Sequence, residues 1–368
     1  MNYQKTIHDA IYGSIDLDGY TSSIISTKEF QRLSSIKQLG FTYLVFPGAT
    51  HSRFEHSLGT YFLSREAAVH IGLSEEDIRL VSLAGLLHDI GHSPFSHSLE
   101  DSMVALYGKD HLDVTVDILE GKTEGNEISD VLGQEKREII AVLRGKKGIL
   151  SRLISGNGDA DQIDYLARDS YYTGVALGTV DVSRILRTLV KCGDELCIKE
   201  KGLPSMEGLM IGRMLMYKSV YRHRTGLVAG SIANDALRII EPDYDDLVKW
   251  NDCDFMSELK RNKNTVRFYE MLKYRRLPRG LIIRENKENF MRIRDELEGE
   301  IITSQYFVSP FKSEILKVKT EKGEEPITNL SSIMEFLQRE LVEIGLLVYD
   351  PAKENLVKSR LSQEGIKY

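Results

Sequence analysis

The stretch that most constrains this chain is Leu83-Ala-Gly-Leu-Leu-His88-Asp89-Ile-Gly91-His92-Ser-Pro94-Phe-Ser-His97. An apolar helical run ends there in an adjacent His-Asp pair, and two more histidines follow within a few residues. The spacing predicts a helix over 74–90. Ser74 is its N-cap, and Glu75, Glu76 and Asp77 fill the first turn, where the helix dipole favours acids. Ile78, Val81, Ala84 and Leu87 recur at three- and four-residue steps and form a buried stripe. Gly91 is read as the C-terminal cap, and Pro94 stops the helix. Asp89 therefore faces the unfavourable end of the dipole among apolar neighbours, and a bound cation is its natural partner.

An isolated His-Asp pair would be read as a core histidine beside a loop carboxylate. Two further ligand-type residues shift that balance: His56 in Arg53-Phe-Glu-His56-Ser-Leu-Gly59, and Asp161 in Asp159-Ala-Asp161-Gln-Ile-Asp164-Tyr165. His56, His88, Asp89 and Asp161 offer imidazole nitrogens and carboxylate oxygens. On a six-coordinate ion they leave positions open for water and phosphate, which suits catalysis better than a closed structural site. Two imidazole ligands favour Mn, Fe, Ni, Co or Zn over Mg. Asp161, Tyr165 and Asp169 fall at i, i+4 and i+8 and share one helical stripe, while Asp164 and Arg168 form a pair on a neighbouring stripe that is read as structural. Arg53 lies one turn before His56, within reach of phosphate oxygens near the metal.

The order H…HD…D, in the wordings RFEHSLG (53–59), LLHDIGHSPFSH (86–97) and DQIDYLARD (161–169), resembles the HD-domain superfamily. More narrowly, it resembles the deoxynucleoside-triphosphate triphosphohydrolases, including the branch that joins a SAM domain to an HD domain. The likeness runs from near Ile7 to about Leu237. It implies a mostly α fold with an HD-type helical core, and a reaction in which a dNTP and water give a deoxynucleoside and tripolyphosphate. By resemblance, His92, His97 and His111 surround the triphosphate and move its protons. Glu100 stands where close relatives have an aspartate that orients the catalytic histidine; it keeps the charge and adds a methylene. Gln38 and Leu39 would lie against the deoxyribose, Tyr165 and Asp169 along the sugar with its 3′-hydroxyl, and Arg213 on the phosphates. Tyr217 and Tyr221 would lie near base or sugar, with Tyr217 replacing the histidine of the SAM-linked relative. A packed Tyr165 beneath C2′ would leave little room for a 2′-hydroxyl. Relatives activated by nucleotide carry an aspartate and an arginine where this chain has Ser26 and Ser34, so weak or absent dGTP-specific activation is expected.

The remaining chain is read more coarsely. Residues 1–20 form a short hairpin or extended arm, 41–46 a strand, 120–138 a charged loop or lid, 179–187 the start of a helix, 189–203 a hairpin and 206–238 one long helix. Residues 1–240 are assigned to the HD phosphohydrolase domain and 241–368 to an α+β appendage for oligomerisation or for shaping the site. Within that appendage 278–283 is a strand, 301–319 alternates in a β manner interrupted by Pro310, and 328–344 is a helix. A net charge of −7 with no lysine-arginine block gives no sign of nucleic-acid binding. Cys192, Cys197 and Cys253 are read as reduced thiols. No leader-like or membrane-spanning run is visible, which fits a cytoplasmic homo-oligomer. The rival readings are another HD phosphohydrolase (a nucleotidase or a phosphodiesterase) and a non-catalytic regulator that binds nucleotide or nucleic acid.

Overall fold

The computed structural model describes residues 3–177, 180–309, 316–339, 342–363 and 365–366. The readings at Thr179 and Pro310 lie outside these residues. The described chain is mostly helical, with three small sheets and strands concentrated in its last third.

An antiparallel hairpin, Tyr3–Asp9 with Gly13–Asp18, forms the expected arm. The helices Arg53–His70, Glu75–Leu87 and Ala160–Thr173 then pack on one another through Leu58, Leu63, Val81, Ala84, Leu87, Ile163 and Leu166, all buried. Ser52 and Ser74 cap the first two helices by accepting from the backbone N–H of Glu55 and Asp77, and Ser52 completes a capping box with Glu55. Gly59 lets the first helix cross Asp164 and Arg168 of the third; any Cβ there would collide with both side chains. Gly91 has a similar role rather than the expected capping one. His88 is the C-cap, and a Cβ on Gly91 would strike the backbone of His111 and Thr115, so the absent side chain admits the helix His111–Glu120.

Several local readings are corrected. The apolar run after Gly40 is a 3-10 turn, Gly40–Leu44, rather than a strand. The charged segment 120–138 contains the short helix Ile128–Leu132. The predicted long helix is divided into Leu203–Met216, a π-helical turn Tyr217–Tyr221, and Arg224–Ile240. The helix read over 328–344 ends with Ser332–Arg339, and Val342–Tyr349 is the central strand between Arg279–Ile283 and Thr303–Ser309. Leu189–Cys192 and Glu195–Lys199 form the expected hairpin, which is joined in parallel by Lys317–Thr320. Cys192 and Cys197 form a disulfide across it, against the reading of free thiols. The register pairs Val190 with Cys197 and Cys192 with Glu195, making the two cysteines buried diagonal neighbours. Cys253 is free and exposed.

The main hydrophobic core draws on both sides of residue 240, including Leu237, Leu247, Phe255, Val318 and Leu337. Among the described residues, no helix is long and apolar enough to cross a membrane.

Candidate active site

The four proposed metal ligands converge from three helices. His56 Nε2 lies 3.0 Å from Asp161 Oδ1, 3.3 Å from His88 Nε2 and 3.5 Å from Asp89 Oδ2. His88 Nε2 lies 3.3 Å from Asp89 Oδ1 and 3.6 Å from Asp161 Oδ1. Donors at right angles on an ion with bonds of about 2.1 Å stand about 3 Å apart, so His56, His88 and Asp161 fit one divalent ion, with Asp89 beside the two imidazoles. Each imidazole uses its other nitrogen to fix its tautomer: His88 Nδ1 donates to Gly85 O (2.8 Å), and His56 Nδ1 donates to Asp164 Oδ2 (2.7 Å). Asp164 is thus more than the helix-surface partner of Arg168 expected from spacing; it orients a candidate ligand. Burial opposes charge on His56, but hydrogen bonds to Asp161 and Asp164 push its pKa up to about 10. The contacts that attract this proton also attract a cation, so the two compete. Burial opposes ionisation of Asp161 too, yet the hydrogen bonds of His56 and His88 hold it well below the usual carboxylate range.

The loop after the His-Asp pair is held in an unusual shape. Phe95 and Ser96 both lie in the left-handed region, with φ of 55° and 57°. Asp252 fixes this loop: its Oδ1 accepts from the Phe95 N–H (2.7 Å), while its Oδ2 accepts from the Lys37 N–H (3.1 Å). Ser96 is thereby placed to accept from Arg53 Nε (2.7 Å) and to donate to Lys37 O (2.7 Å). Arg53 Nη1 donates to Asp89 Oδ2. The guanidinium is buried and committed to a carboxylate and a hydroxyl, so it braces the Asp89 ligand as well as lining the cavity. Arg32 adds donors to Ile90 O (2.7 Å) and Trp250 O (2.9 Å), tying the same turn to the segment before Asp252.

Glu100 spans the gap between two histidines despite its extra methylene. Oε2 lies 2.7 Å from His97 Nδ1, and Oε1 accepts from His111 Nδ1. Both Nδ1 atoms are occupied, leaving the Nε2 atoms available to a ligand. His92 stacks on His111 with ring centroids 4.4 Å apart and 8° between planes, while its Nε2 lies 3.2 Å from Asp89 Oδ1. Burial, reinforced by the Arg53 charge, pushes the His92 pKa well down. On His111 burial also opposes charge, but the Glu100 hydrogen bond and charge outweigh it and raise the pKa. The stacked pair is therefore pushed in opposite directions, His92 toward its neutral form and His111 toward its cationic one. Ring nitrogens of His92, His97 and His111 approach within 4.8 Å of one another, close enough to act on one phosphate or to hold a second cation.

These groups line one cavity of about 650 Å³, a size suited to a small-molecule ligand. Gln38, Leu39, Arg53, His88, Asp89, His92, His97, Glu100, His111, Asp161, Tyr165, Asp169, Arg213, Tyr217 and Tyr221 all border it, and buried His56 lies beneath. Arg213 is buried with its guanidinium 5.6 Å from the centre of the Tyr217 ring. Asp169 Oδ2 accepts from Tyr221 OH at 2.8 Å. Gln305 and Phe307, from the strand Thr303–Ser309, also border the cavity, so the C-terminal region helps to build its wall. Sequence reasoning missed Ser96, Asp252, the Asp164–His56 contact and these two strand residues. Each depends on a partner far away in the chain.

The family profile described as the HD domain matches residues 53–169, and that of the HD associated region matches 180–297. An uncharacterized protein of Methanocaldococcus jannaschii is 39% identical over 76% of this chain and 59% of its own length. A putative HD domain-containing protein of Acanthamoeba polyphaga mimivirus is 31% identical over 79% of this chain and 69% of that protein. Human deoxynucleoside triphosphate triphosphohydrolase SAMHD1 is 31% identical over 63% of this chain and 44% of its own. The chain spans between 46% and 59% of the length of several curated relatives. Among solved structures, a hypothetical protein from Aquifex aeolicus superposes with a TM-score of 0.84 at 28% identity, over 97% of this chain and 99% of that one. A phosphohydrolase from Bacteroides thetaiotaomicron gives 0.80 at 25% identity, over 94% and 99%.

Proposed function

The chain belongs to the HD-domain family, and on that premise we propose that it is a metal-dependent deoxynucleoside-triphosphate triphosphohydrolase, releasing deoxynucleoside and tripolyphosphate. The observation that carries this reading is a cavity bordered both by three of the four candidate cation donors, with His56 beneath them, and by the Tyr165–Asp169–Tyr221 group. The resemblance to the triphosphohydrolases, and SAMHD1 among the relatives, support the choice of substrate.

His56, His88, Asp89 and Asp161 would hold the ion, with Mn, Fe, Ni, Co or Zn favoured by the two imidazoles and Mg accompanying the triphosphate. When bound, such an ion supplies Lewis-acid activation of water and of the α-phosphate. The protein's own groups do the rest. Arg213 attracts phosphate oxygens, and Arg53 keeps Asp89 oriented. His111, in the acid form that Glu100 favours, donates a proton from Nε2 toward the leaving 5′-oxygen, while His97 borders the phosphate path and His92, its Nε2 facing Asp89 Oδ1, steadies that ligand. Gln38, Leu39 and Tyr217 would complete the sugar and base contacts. Tyr165, packed under C2′, would disfavour a 2′-hydroxyl.

The test is a panel of dNTPs and NTPs with Mn, Mg, Co and Ni, with products separated by chromatography. Deoxynucleoside plus tripolyphosphate is expected. Orthophosphate or nucleoside monophosphate as product would move the protein to another HD hydrolase activity. Equal rates on GTP and dGTP would remove the 2′ discrimination.

The proton role of His111 has a pH signature. Its folded pKa is raised, so the acid form is lost at a higher pH than in a free imidazole. Glu100→Gln removes the charge responsible. The alkaline fall in kcat should then begin at lower pH, with kcat on the alkaline side down about tenfold to hundredfold, because general acids contribute roughly 10²–10⁴. An unshifted alkaline limb in the variant would remove His111 from this role.

A further inference from the structure

His51 lies outside the cavity lining, yet it touches the wall from behind. Its ring is buried and stacks on Tyr172, with centroids 4.6 Å apart and 16° between planes. Its Nε2 is 2.7 Å from Asp169 Oδ1, while its Nδ1 is buried with no hydrogen-bond partner. A carboxylate only accepts, so Nε2 carries the hydrogen. A second proton on Nδ1 would bury an N–H without an acceptor, which is costly. The ring is therefore fixed in one tautomer and in one orientation. The His51 carbonyl also accepts from the backbone N–H of Gln38 at 3.0 Å, so one residue anchors two points of the cavity wall.

Asp169 is consequently clamped from both sides. His51 donates to Oδ1 from behind, and Tyr221 OH donates to Oδ2 at 2.8 Å from the cavity side. A carboxylate has about four lone-pair sites, so Asp169 keeps acceptor capacity toward the cavity that it borders. A fixed acceptor of this kind recognises a hydroxyl donor.

We propose that His51 is a positioning residue for sugar recognition: it locks the Asp169 carboxylate so that its remaining lone pairs meet the 3′-hydroxyl of the substrate. This inference rests on the reading of the cavity as a dNTP site, and its test separates the two. His51 acts through Asp169, so its effect must depend on the presence of that hydroxyl. A purely structural histidine would affect all substrates alike.

The experiment compares dATP with 2′,3′-dideoxy-ATP on the Mn-loaded full chain. Wild type should favour dATP by about tenfold or more in kcat/KM, the scale of one hydrogen bond to a charged group. His51→Leu removes the donor and should reduce that preference to below about threefold, mainly by raising KM for dATP. His51→Gln, whose amide can present an N–H to Asp169, should restore part of it. Equal losses on both nucleotides, or a preference retained in His51→Leu, would overturn the proposal, as would a wild type that treats the two alike. If His51→Leu does not fold, ring-nitrogen shifts of ¹⁵N-histidine wild-type protein decide: protonated Nε2 with bare Nδ1 supports the clamp, and the opposite tautomer overturns it. A wild type that hydrolyses neither nucleotide counts against the proposed activity instead.

Discussion

Asp161→Ala should abolish turnover, lowering kcat by about 10³-fold or more while leaving the protein folded. Asp161 is the one candidate ligand supplied by the Ala160–Thr173 helix, and its Oδ1 stands 3.0 Å from His56 Nε2 and 3.6 Å from His88 Nε2. Without it the set drops to three donors from two helices, and the cation loses one of its two carboxylates. Lewis-acid activation is worth several kcal/mol, and each 1.36 kcal/mol is tenfold in rate. The side chain is 31% exposed and follows the Asp159 N-cap, so its removal opens no core cavity. Three measurements belong together: tripolyphosphate release, metal content of the dialysed protein, and the thermal midpoint. Activity and stoichiometric metal should fall together while the midpoint moves by no more than a few degrees. Retained activity with retained metal would show that the donors meet around something other than a catalytic ion.

The convergence behind that expectation was largely legible in the sequence. His88 and Asp89 stand at the end of a capped, apolar-striped helix, and ligand-type residues so close to a core are unusual unless they bind something. The i, i+4, i+8 stripe of Asp161, Tyr165 and Asp169 likewise survives in three dimensions, because helical spacing is local geometry. Less legible were groups whose role depends on a distant partner. Asp164 looks like half of an i, i+4 pair with Arg168, yet its Oδ2 also receives His56, 108 positions away. Asp252 carries no local sign that it will clamp the left-handed Phe95–Ser96 turn. His51 likewise carries no local sign of its contact with Asp169, 118 positions away. The misread secondary structure has a related cause. The apolar residues of 41–46 fit a strand pattern, but Gly40 sits at positive φ (50°) and the chain closes into a 3-10 turn. The apolar run of Val342–Tyr349 could continue the preceding amphipathic helix. It becomes a central strand because partners at Arg279–Ile283 and Thr303–Ser309 pair with both of its edges, which no window around residue 345 reveals.

Arg168→Met should destabilise the fold by about 3–5 kcal/mol, the range for breaking a buried ion pair by removing one partner. Arg168 is fully buried and holds two carboxylates at once. Nε lies 2.9 Å from Asp164 Oδ2, Nη2 lies 3.0 Å from Asp164 Oδ1, and Nη1 lies 2.8 Å from Asp9 Oδ2. The first contact pair is the bidentate geometry peculiar to a guanidinium, and the third ties the N-terminal hairpin to the helix of the candidate site. Methionine fills much of the same space, so the loss isolates charge rather than volume. For a protein of this size the thermal midpoint should fall by roughly 5–10 °C. The pH dependence follows from Asp164. Burial opposes its ionisation, but the Arg168 charge and the His56 hydrogen bond hold its pKa below the ordinary value. A depressed carboxylate pKa stabilises the fold above the unfolded pKa, and that contribution is lost as pH falls through the folded one. The gap between wild type and Arg168→Met should therefore be full at pH 7 and narrow as the pH is taken below about 4. Because Asp164 also fixes the His56 tautomer, the variant should bind Mn about 10–100-fold more weakly even where it remains folded, the usual cost of losing support behind a metal-bound imidazole. A midpoint within a degree of wild type at pH 7 would mean that this buried network is electrostatically neutral to the fold. The link drawn from the hairpin through Arg168 and Asp164 to His56 would then fail.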